Sequence, residues 1–487
     1  VVFGDDGEKF GVWPGTHEHV HTNGWLKRFL RTLSENRDWV TTTTFAEVVD
    51  DTVPRGRAYL PTSSYPEMME WALPTKARRS YAAFLGKLGD EELLEEWGPF
   101  VSGGTWKGFL SKYDESNLML RKMMRVSEKI AAAQRTSDVL ESLDGSAGAV
   151  KSVDGGAVTV ETAVLEEAKR ELWQGQCNCA YWHGVFGGLY LPHLRAAIYE
   201  HLIRAERLID IARGRTWDHV EVTDHDIDGR DEVLLESHSA NVYVAPSRGG
   251  TIFELDVRQA DWNVLATMSR YAEAYHDDIP ADGDAEYGEG TANIHDGLSV
   301  KEKDLGKLMR SDSHAAVAAI DHFFAPDVKR GEVEAGGGEL GDSAWGTYEF
   351  ELGRRNGSIG VEMSRTGIVT VAAGECRVLI KKCIWLTDEG RVRVEYDLTP
   401  DDDLDVLFAP EWNLSFLTPE KEWVSFHTDD TGGSGLRRRK TLNAVGAMRV
   451  DDRLRGQRLS ISCEPAAGVW TWPLDTASRS EAGLERV

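Results

Sequence analysis

The chain has 487 residues, with 55 lysines and arginines against 81 aspartates and glutamates, a formal net charge of −26. That length predicts two or three domains, and the acidic field repels phosphate backbones, which argues against a nucleic-acid partner. No window approaches 18 unbroken apolar residues, so no membrane partner is expected. Five cysteines spread over so long a chain build no disulfide framework. The expectation is a reducing cytoplasm, and the charge suits a neutral ligand. Cys177 and Cys179 form a lone C-x-C, a poor metal site without a second cluster.

In chain order, residues 1 to about 60 read as α/β. Val1–Phe3 is strand-like, Trp25–Leu33 has helical periodicity, and the β-branched run Trp39–Thr44 predicts a strand. From Tyr65 to about Gly214 the pattern is helical, with apolar residues at three- and four-residue spacing over Pro66–Leu88, Asn117–Ala133, Val164–Trp173 and Leu191–Arg213. The Gly/Ser/Ala/Asp-rich stretch Ser137–Gly156 reads as a surface insertion. Beyond Arg213, short alternating runs predict strands at Val220–Val222, Glu232–Leu235, Asn241–Ala245, Thr251–Asp256, Thr347–Leu352, Ile368–Ala372, Arg377–Leu386 and Arg391–Leu398. A helical break near Asn263–His276 and an acidic, glycine-rich loop at Lys329–Gly338 interrupt this zone. Such strands between Gly, Asp and Pro turns point to an antiparallel β-sandwich.

Two segments carry candidate chemistry. In Val1-Val2-Phe3-Gly4-Asp5-Asp6-Gly7-Glu8 a strand runs into carboxylates, and Phe10 and Trp13 follow. A carboxyl group walled by aromatics can stay protonated near neutrality and serve as an acid. Cleaving a glycosidic bond with retention needs such an acid and a second carboxylate as nucleophile. An acidic turn after an edge strand is the competing reading. In Gln174–Pro192, the run Tyr181-Trp182-His183 precedes a Gly187-Gly188 pair that opens a helix. Glycines let backbones approach closely and display the aromatics to a cleft; the competing reading is a tight loop whose aromatics fill the core.

Together the two segments resemble glycoside hydrolase family 57, in its α-amylase and 4-α-glucanotransferase branch. Asp5–Pro14 is similar to that family's fourth sequence region and Ala180–Leu191 to its fifth. Ala272–His276, Ile320–Phe324 and Trp412–Ser415 lie in segments similar to its C-terminal pattern. The resemblance implies a multidomain α/β plus all-β architecture: the end of an incomplete (β/α)7 barrel over 1–62, a helical bundle over 63–214, and a large antiparallel β-sandwich over 215–487. It implies Asp6 as general acid/base, with Glu8, Trp13 and Trp182 as sugar-binding neighbours and Tyr181 and His183 beside them. It also implies an α-1,4-glucan or maltooligosaccharide as the partner, no required cofactor, and a homodimer as one assembly.

Neither a His-Gln-Pro opening motif nor the region bearing the family's glutamate nucleophile is present. Both are expected upstream of Val1, so this polypeptide alone is expected to be inactive. A non-catalytic carbohydrate-binding protein and an inactive family member are the alternatives. Two further motifs stand apart. His17-Glu18-His19-Val20-His21 matches His-Glu-x-x-His, but it sits between Gly15 and Gly24 without an evident third ligand, so zinc is not expected. Asp224, Asp226, Asp228 and Glu232 could wrap a structural calcium ion in a loop shorter than an EF-hand; a solvated acidic turn is the alternative.

Overall fold

The structure, a computed structural model, describes residues 4, 7–12, 16–59, 64–144, 150–151, 157–158, 162–184, 187–215, 217–278, 305–428, 431–480 and 483–487. Val1–Phe3, and with it the opening strand, lies outside them. Its early helices are α1 (Trp25–Glu35), α2 (Phe45–Asp51), α3 (Pro66–Trp71), α4 (Thr75–Asp90), α5 (Leu94–Trp97) and α6 (Trp106–Lys112). The long α7 (Asp114–Asp144) is followed by the two-residue pair β1 (Val150–Lys151) and β2 (Ala157–Val158), then α8 (Thr162–Gly175) and α9 (Pro192–Ala212). Asp114 and Glu115 stand in the first turn of α7, where the helix dipole favours carboxylates. Pro192 opens α9, where its missing N–H costs nothing. Apolar faces of α3, α6, α7, α8 and α9 share one core that includes Trp71, Phe109, Met119, Val126, Leu172, Leu202 and Ile209.

Two expectations fail here for local reasons. Pro66–Leu88 is two helices, because Pro74 has an extended ψ of 144° and acts as N-cap of α4, and a proline also disfavours helix in the residue before it. Trp39–Thr44 is not a strand. Thr44 instead caps α2, its hydroxyl accepting from Glu47 N–H while the Glu47 carboxylate accepts from Thr44 N–H. Among the described residues before Tyr65 there is accordingly no strand.

The C-terminal half is antiparallel. A seven-stranded sheet runs β13 (Leu407–Trp412), β8 (Ala318–Phe324), β6 (Thr251–Val257), β5 (Ala240–Ala245), β4 (Glu232–Glu236), β3 (His219–Thr223), with β7 (Trp262–Asn263) beside β6. A four-stranded sheet runs β12 (Val392–Pro400), β11 (Gly374–Leu386), β10 (Ser358–Val371), β9 (Glu349–Arg355). Val233, Val242, Ile252, Val361, Ile380 and Ile384 form the core they share. A further sheet, β14 (Val424–Thr428), β15 (Thr431–Ser434), β16 (Lys440–Asp452) and β17 (Gln457–Thr471), has its own small core of Val424, Phe426 and Val450. The hairpin β18 (Ala477–Ser480) and β19 (Gly483–Arg486) ends the chain. The eight strands expected between Val220 and Leu398 are all present, most of them longer than their patterns.

Two interruptions differ from expectation. Ala266–Glu273 is irregular and leads into a 3-10 turn at Ala274–Asp278, so the segment near Asn263–His276 is not helical. Conversely, Lys329–Gly338 carries a short helix, α10 (Arg330–Glu334), closed by Gly336 at φ 82°. Among the described residues no helix is long and apolar enough to cross a membrane. All five cysteines are free.

Candidate functional site: an aromatic cleft

The segment after α8 folds as two short 3-10 turns, Asn178–Ala180 and Gly188–Tyr190, before α9 begins. Glycines make that path feasible. A Cβ on Gly184 would overlap the Trp71 indole, and Gly188, at φ 45°, lies against the Trp182 carbonyl. Leu189 N–H donates to that same carbonyl at 3.0 Å, while Ser116 Oγ donates to the Tyr181 carbonyl. The turn therefore holds its aromatics in fixed places.

Trp182 is half-buried and stacks on Trp71, with centroids 5.3 Å apart and planes 13° from parallel. Tyr65 meets Trp71 edge-on at 6.2 Å. Tyr181 is buried, and its hydroxyl donates to the Gly175 carbonyl at 2.6 Å. Tyr65, Trp106, Tyr181 and Trp182, with Met68, Leu120 and Met123, line a cleft of about 400 Å³ into which Gln176 and Asn178 bring amide groups. Flat apolar rings beside a few polar groups suit a ligand with apolar faces and polar edges, as a sugar has.

His183 points elsewhere. It is 2% exposed and boxed by the rings of Phe109, Tyr113 and Tyr190. Its Nε2 lies 3.5 Å from Glu273 Oε1, in a carboxylate hub where Tyr113 and Tyr190 hydroxyls donate at 2.6 and 2.8 Å and Lys112 at 3.2 Å. Burial outweighs the nearby carboxylate and pushes the His183 pKa down to about 4. For Glu273, burial is overcome by His183, Lys112 and the two hydroxyls, which hold the carboxyl at about 2. Sequence reading missed this hub because its members come from three separate segments.

Glu8 is exposed on the 3-10 turn Gly7–Phe10. The Cys179 thiol has its pKa raised by burial and Cys177, and also by the Glu8 charge, so the opening motif lies within electrostatic range of the 178–182 turn. Asp6 and Trp13 lie outside the described residues. His17 and His21 come within 4.9 Å on a π-helical turn, where His21 Nε2 is bonded to the Phe10 carbonyl at 2.8 Å.

Of the four expected calcium ligands, three converge: Asp224, Asp226 and Glu232 each place a carboxylate oxygen within 4.8 Å of the others. Asp228 is not of that group, and its Oδ1 accepts from Arg230 N–H at 2.9 Å. Glu232 Oε1 is buried with no hydrogen-bond partner, and burial beside Asp226 lifts that carboxyl to about 7.

The C-terminal alpha-amylase/4-alpha-glucanotransferase family model matches residues 224–487, and the middle-domain model of the same name matches 104–147 and 157–209. The chain belongs to the alpha-amylase/4-alpha-glucanotransferase family. It is 33% identical over 490 residues to alpha-amylase 1 of Dictyoglomus thermophilum, covering 99% of this chain and 65% of that protein. Against the 4-alpha-glucanotransferase of Thermococcus kodakarensis it is 33% identical over 486 residues, covering 100% of this chain and 64% of the relative. The crystal structure of 4-alpha-glucanotransferase from Thermococcus litoralis matches with a TM-score of 0.72 at 31% identity, covering all of this chain and 63% of that one. The chain thus spans slightly less than two thirds of the length of these relatives.

Proposed function

We propose that this chain is a portion of a retaining enzyme acting on α-1,4-glucans, a 4-α-glucanotransferase or α-amylase of glycoside hydrolase family 57, with Asp6 as general acid/base. The observation that carries the reading is the cleft of aromatic rings with amide groups, built around the stack of Trp71 on Trp182, which stands on the segment similar to the family's fifth sequence region. Glu8, two residues after Asp6, lies within electrostatic range of the turn that bears the aromatic cleft. Family membership and the relatives' names supply the bond cleaved. Asp6 protonates the leaving glycosidic oxygen, and after a glycosyl-enzyme forms it deprotonates the incoming hydroxyl or water. Trp182 stacks on a glucose ring and Glu8 and Trp13 belong to the same subsites, whereas Tyr181 and His183, expected there from the sequence, point inward and shape the turn rather than touch sugar. The retaining mechanism also needs a nucleophilic carboxylate, which none of the segments resembling the family supplies. Whether sugar or water is the acceptor depends on water exclusion; transfer is favoured because the long helical segment and the large C-terminal sheet region resemble the 4-α-glucanotransferase branch.

In this reading residues 1–62 close an incomplete (β/α)7 barrel, 63–214 complete the cleft, and 215–487 form the C-terminal sandwich of a cytoplasmic protein. Asp224, Asp226 and Glu232 hold a structural calcium ion, and the unpartnered Glu232 oxygen supports that assignment. The isolated chain should not turn over maltooligosaccharides. A longer polypeptide with the upstream residues should, and Asp6→Asn should cut its rate by about 10²–10⁴-fold. Turnover by the isolated chain, abolished by Asp6→Asn, would refute the missing nucleophile. An unaltered rate in the longer Asp6→Asn protein would refute the role of Asp6.

A further inference from the structure

A second constellation lies in the seven-stranded sheet, away from the cleft and from the carboxylate loop. His322 on β8 pairs across the ladder with Ala409 on β13. Glu411, two residues further along β13, therefore projects from the same face. His314 comes from the segment leading into β8 and stacks on Trp345 at 5.8 Å. The three side chains place ligand atoms within 4.8 Å of one another. We propose that His314, His322 and Glu411 form a binding site for a zinc-class divalent ion, with both histidines ligating through Nε2.

The distances suit one ion. Ligands at about 2.0–2.1 Å from tetrahedral zinc stand about 3.3–3.4 Å apart. His322 Nε2 is 3.2 Å from Glu411 Oε2, and His314 Nε2 is 3.5 Å from Glu411 Oε1. The first approach lacks hydrogen-bond alignment: His322 is 5% exposed, yet its Nε2 has no hydrogen-bond partner. Two atoms directed at a common third point have that geometry.

The surroundings fit as well. A ligating histidine characteristically gives its other ring N–H to a carboxylate, which fixes the tautomer and strengthens the donor nitrogen. His322 Nδ1 meets Glu339 Oε2 at 2.5 Å, and Glu339 is itself fixed by Phe323 and Gly341 N–H at 3.0 and 2.8 Å. Asn413 Nδ2 donates to Glu411 Oε1 at 2.7 Å, orienting that carboxylate. Two imidazoles and a carboxylate favour a borderline transition metal over calcium. With Glu339 the two carboxylates neutralise a dication. His314 also lines a cavity of about 170 Å³ together with Ser313 and Trp345, which gives room for a water as fourth ligand. Bound metal would tie the segment before β8 to the two strands β8 and β13.

A proton could occupy the same geometry, since Glu339 and Glu411 outweigh burial and raise the His322 pKa to about 9. The test therefore measures metal directly. Chelator-treated whole chain is titrated with Zn²⁺ by competition with a chromophoric chelator, and separately with Co²⁺ followed by visible absorption. One equivalent of each is expected, Co²⁺ giving the intense bands of a tetrahedral site. Glu339→Gln should weaken Zn²⁺ by about 10–100-fold, and His314→Ala by more. His314 sits outside the strands, and the Co²⁺ spectrum of the unaltered chain provides a readout should the variant not fold. Absence of the tetrahedral spectrum, or zinc affinity unchanged in both variants, overturns the site and leaves His322 as a protonated clamp between two carboxylates.

Discussion

Trp182 shows how one side chain links packing to binding. Its stack on Trp71 fixes the ring orientation, while its free edge lines the cleft. Trp182→Ala should weaken maltooligosaccharide binding by about 0.5–1.5 kcal/mol, roughly 2- to 13-fold, because a ring contact of this kind carries about that energy. Calorimetry on the whole chain checks this, and unchanged affinity would remove Trp182 from the subsites. Gly184→Ala tests the backbone side. Its added methyl has nowhere to go but into the rigid Trp71 indole, and such overpacking should cost about 1–3 kcal/mol in denaturant unfolding. The glycine-and-aromatic signal was legible in the sequence. That Tyr181 and His183 turn inward was not, because a three-residue aromatic run does not say which ring meets which neighbour.

At the scale of elements, the Glu273 hub joins the end of α6, the turn before α9 and the irregular segment after β7. Its titration predicts acid sensitivity. The His183 pKa is depressed from 6.5 to about 4 in the folded chain, so the unfolded chain takes up that proton first. The associated stability, about 3 kcal/mol at most, is present above pH 6.5 and is lost as pH falls toward 4. Glu273, depressed from 4.5 to about 2, extends the loss from pH 4.5 downward. The melting temperature should therefore fall progressively below pH 6.5, and His183→Gln should flatten the profile between pH 6.5 and 4 and, by removing one of the groups that hold Glu273 ionised, soften the loss below it. A flat profile between pH 6.5 and 4 would contradict the assignment. The same scale explains the errors of prediction. Thr41–Thr44 has strand propensity, yet a capping box with Glu47 satisfies orphan N–H groups locally and starts a helix instead.

For the whole molecule, the helical layer and the seven-stranded sheet meet through buried charge. Lys122 of α7 is fully buried, with Glu254 and Asp256 of β6 at 2.6 and 2.5 Å and Glu206 of α9 at 3.4 Å. Lys122→Met would leave the β6 carboxylates without their cation in a dry interface, which should destabilise the chain by about 3–5 kcal/mol. Chemical denaturation measures it; a loss below 1 kcal/mol would mean that neighbouring cations compensate.

The sequence by itself determined that a helical zone precedes a β zone, the strand alternation from Val220 to Leu398, the helical periodicities, and the two segments carrying the family resemblance. Each of these depends on residues a few positions apart, where backbone period, glycine and proline act directly. Only the tertiary structure decided which groups converge: Glu273 with Tyr113 and Tyr190, Lys122 with β6, and His314 and His322 with Glu411. Those meetings join residues up to 160 positions apart in sequence. The register of strands and the docking of helices onto a sheet set them, and no local pattern encodes either.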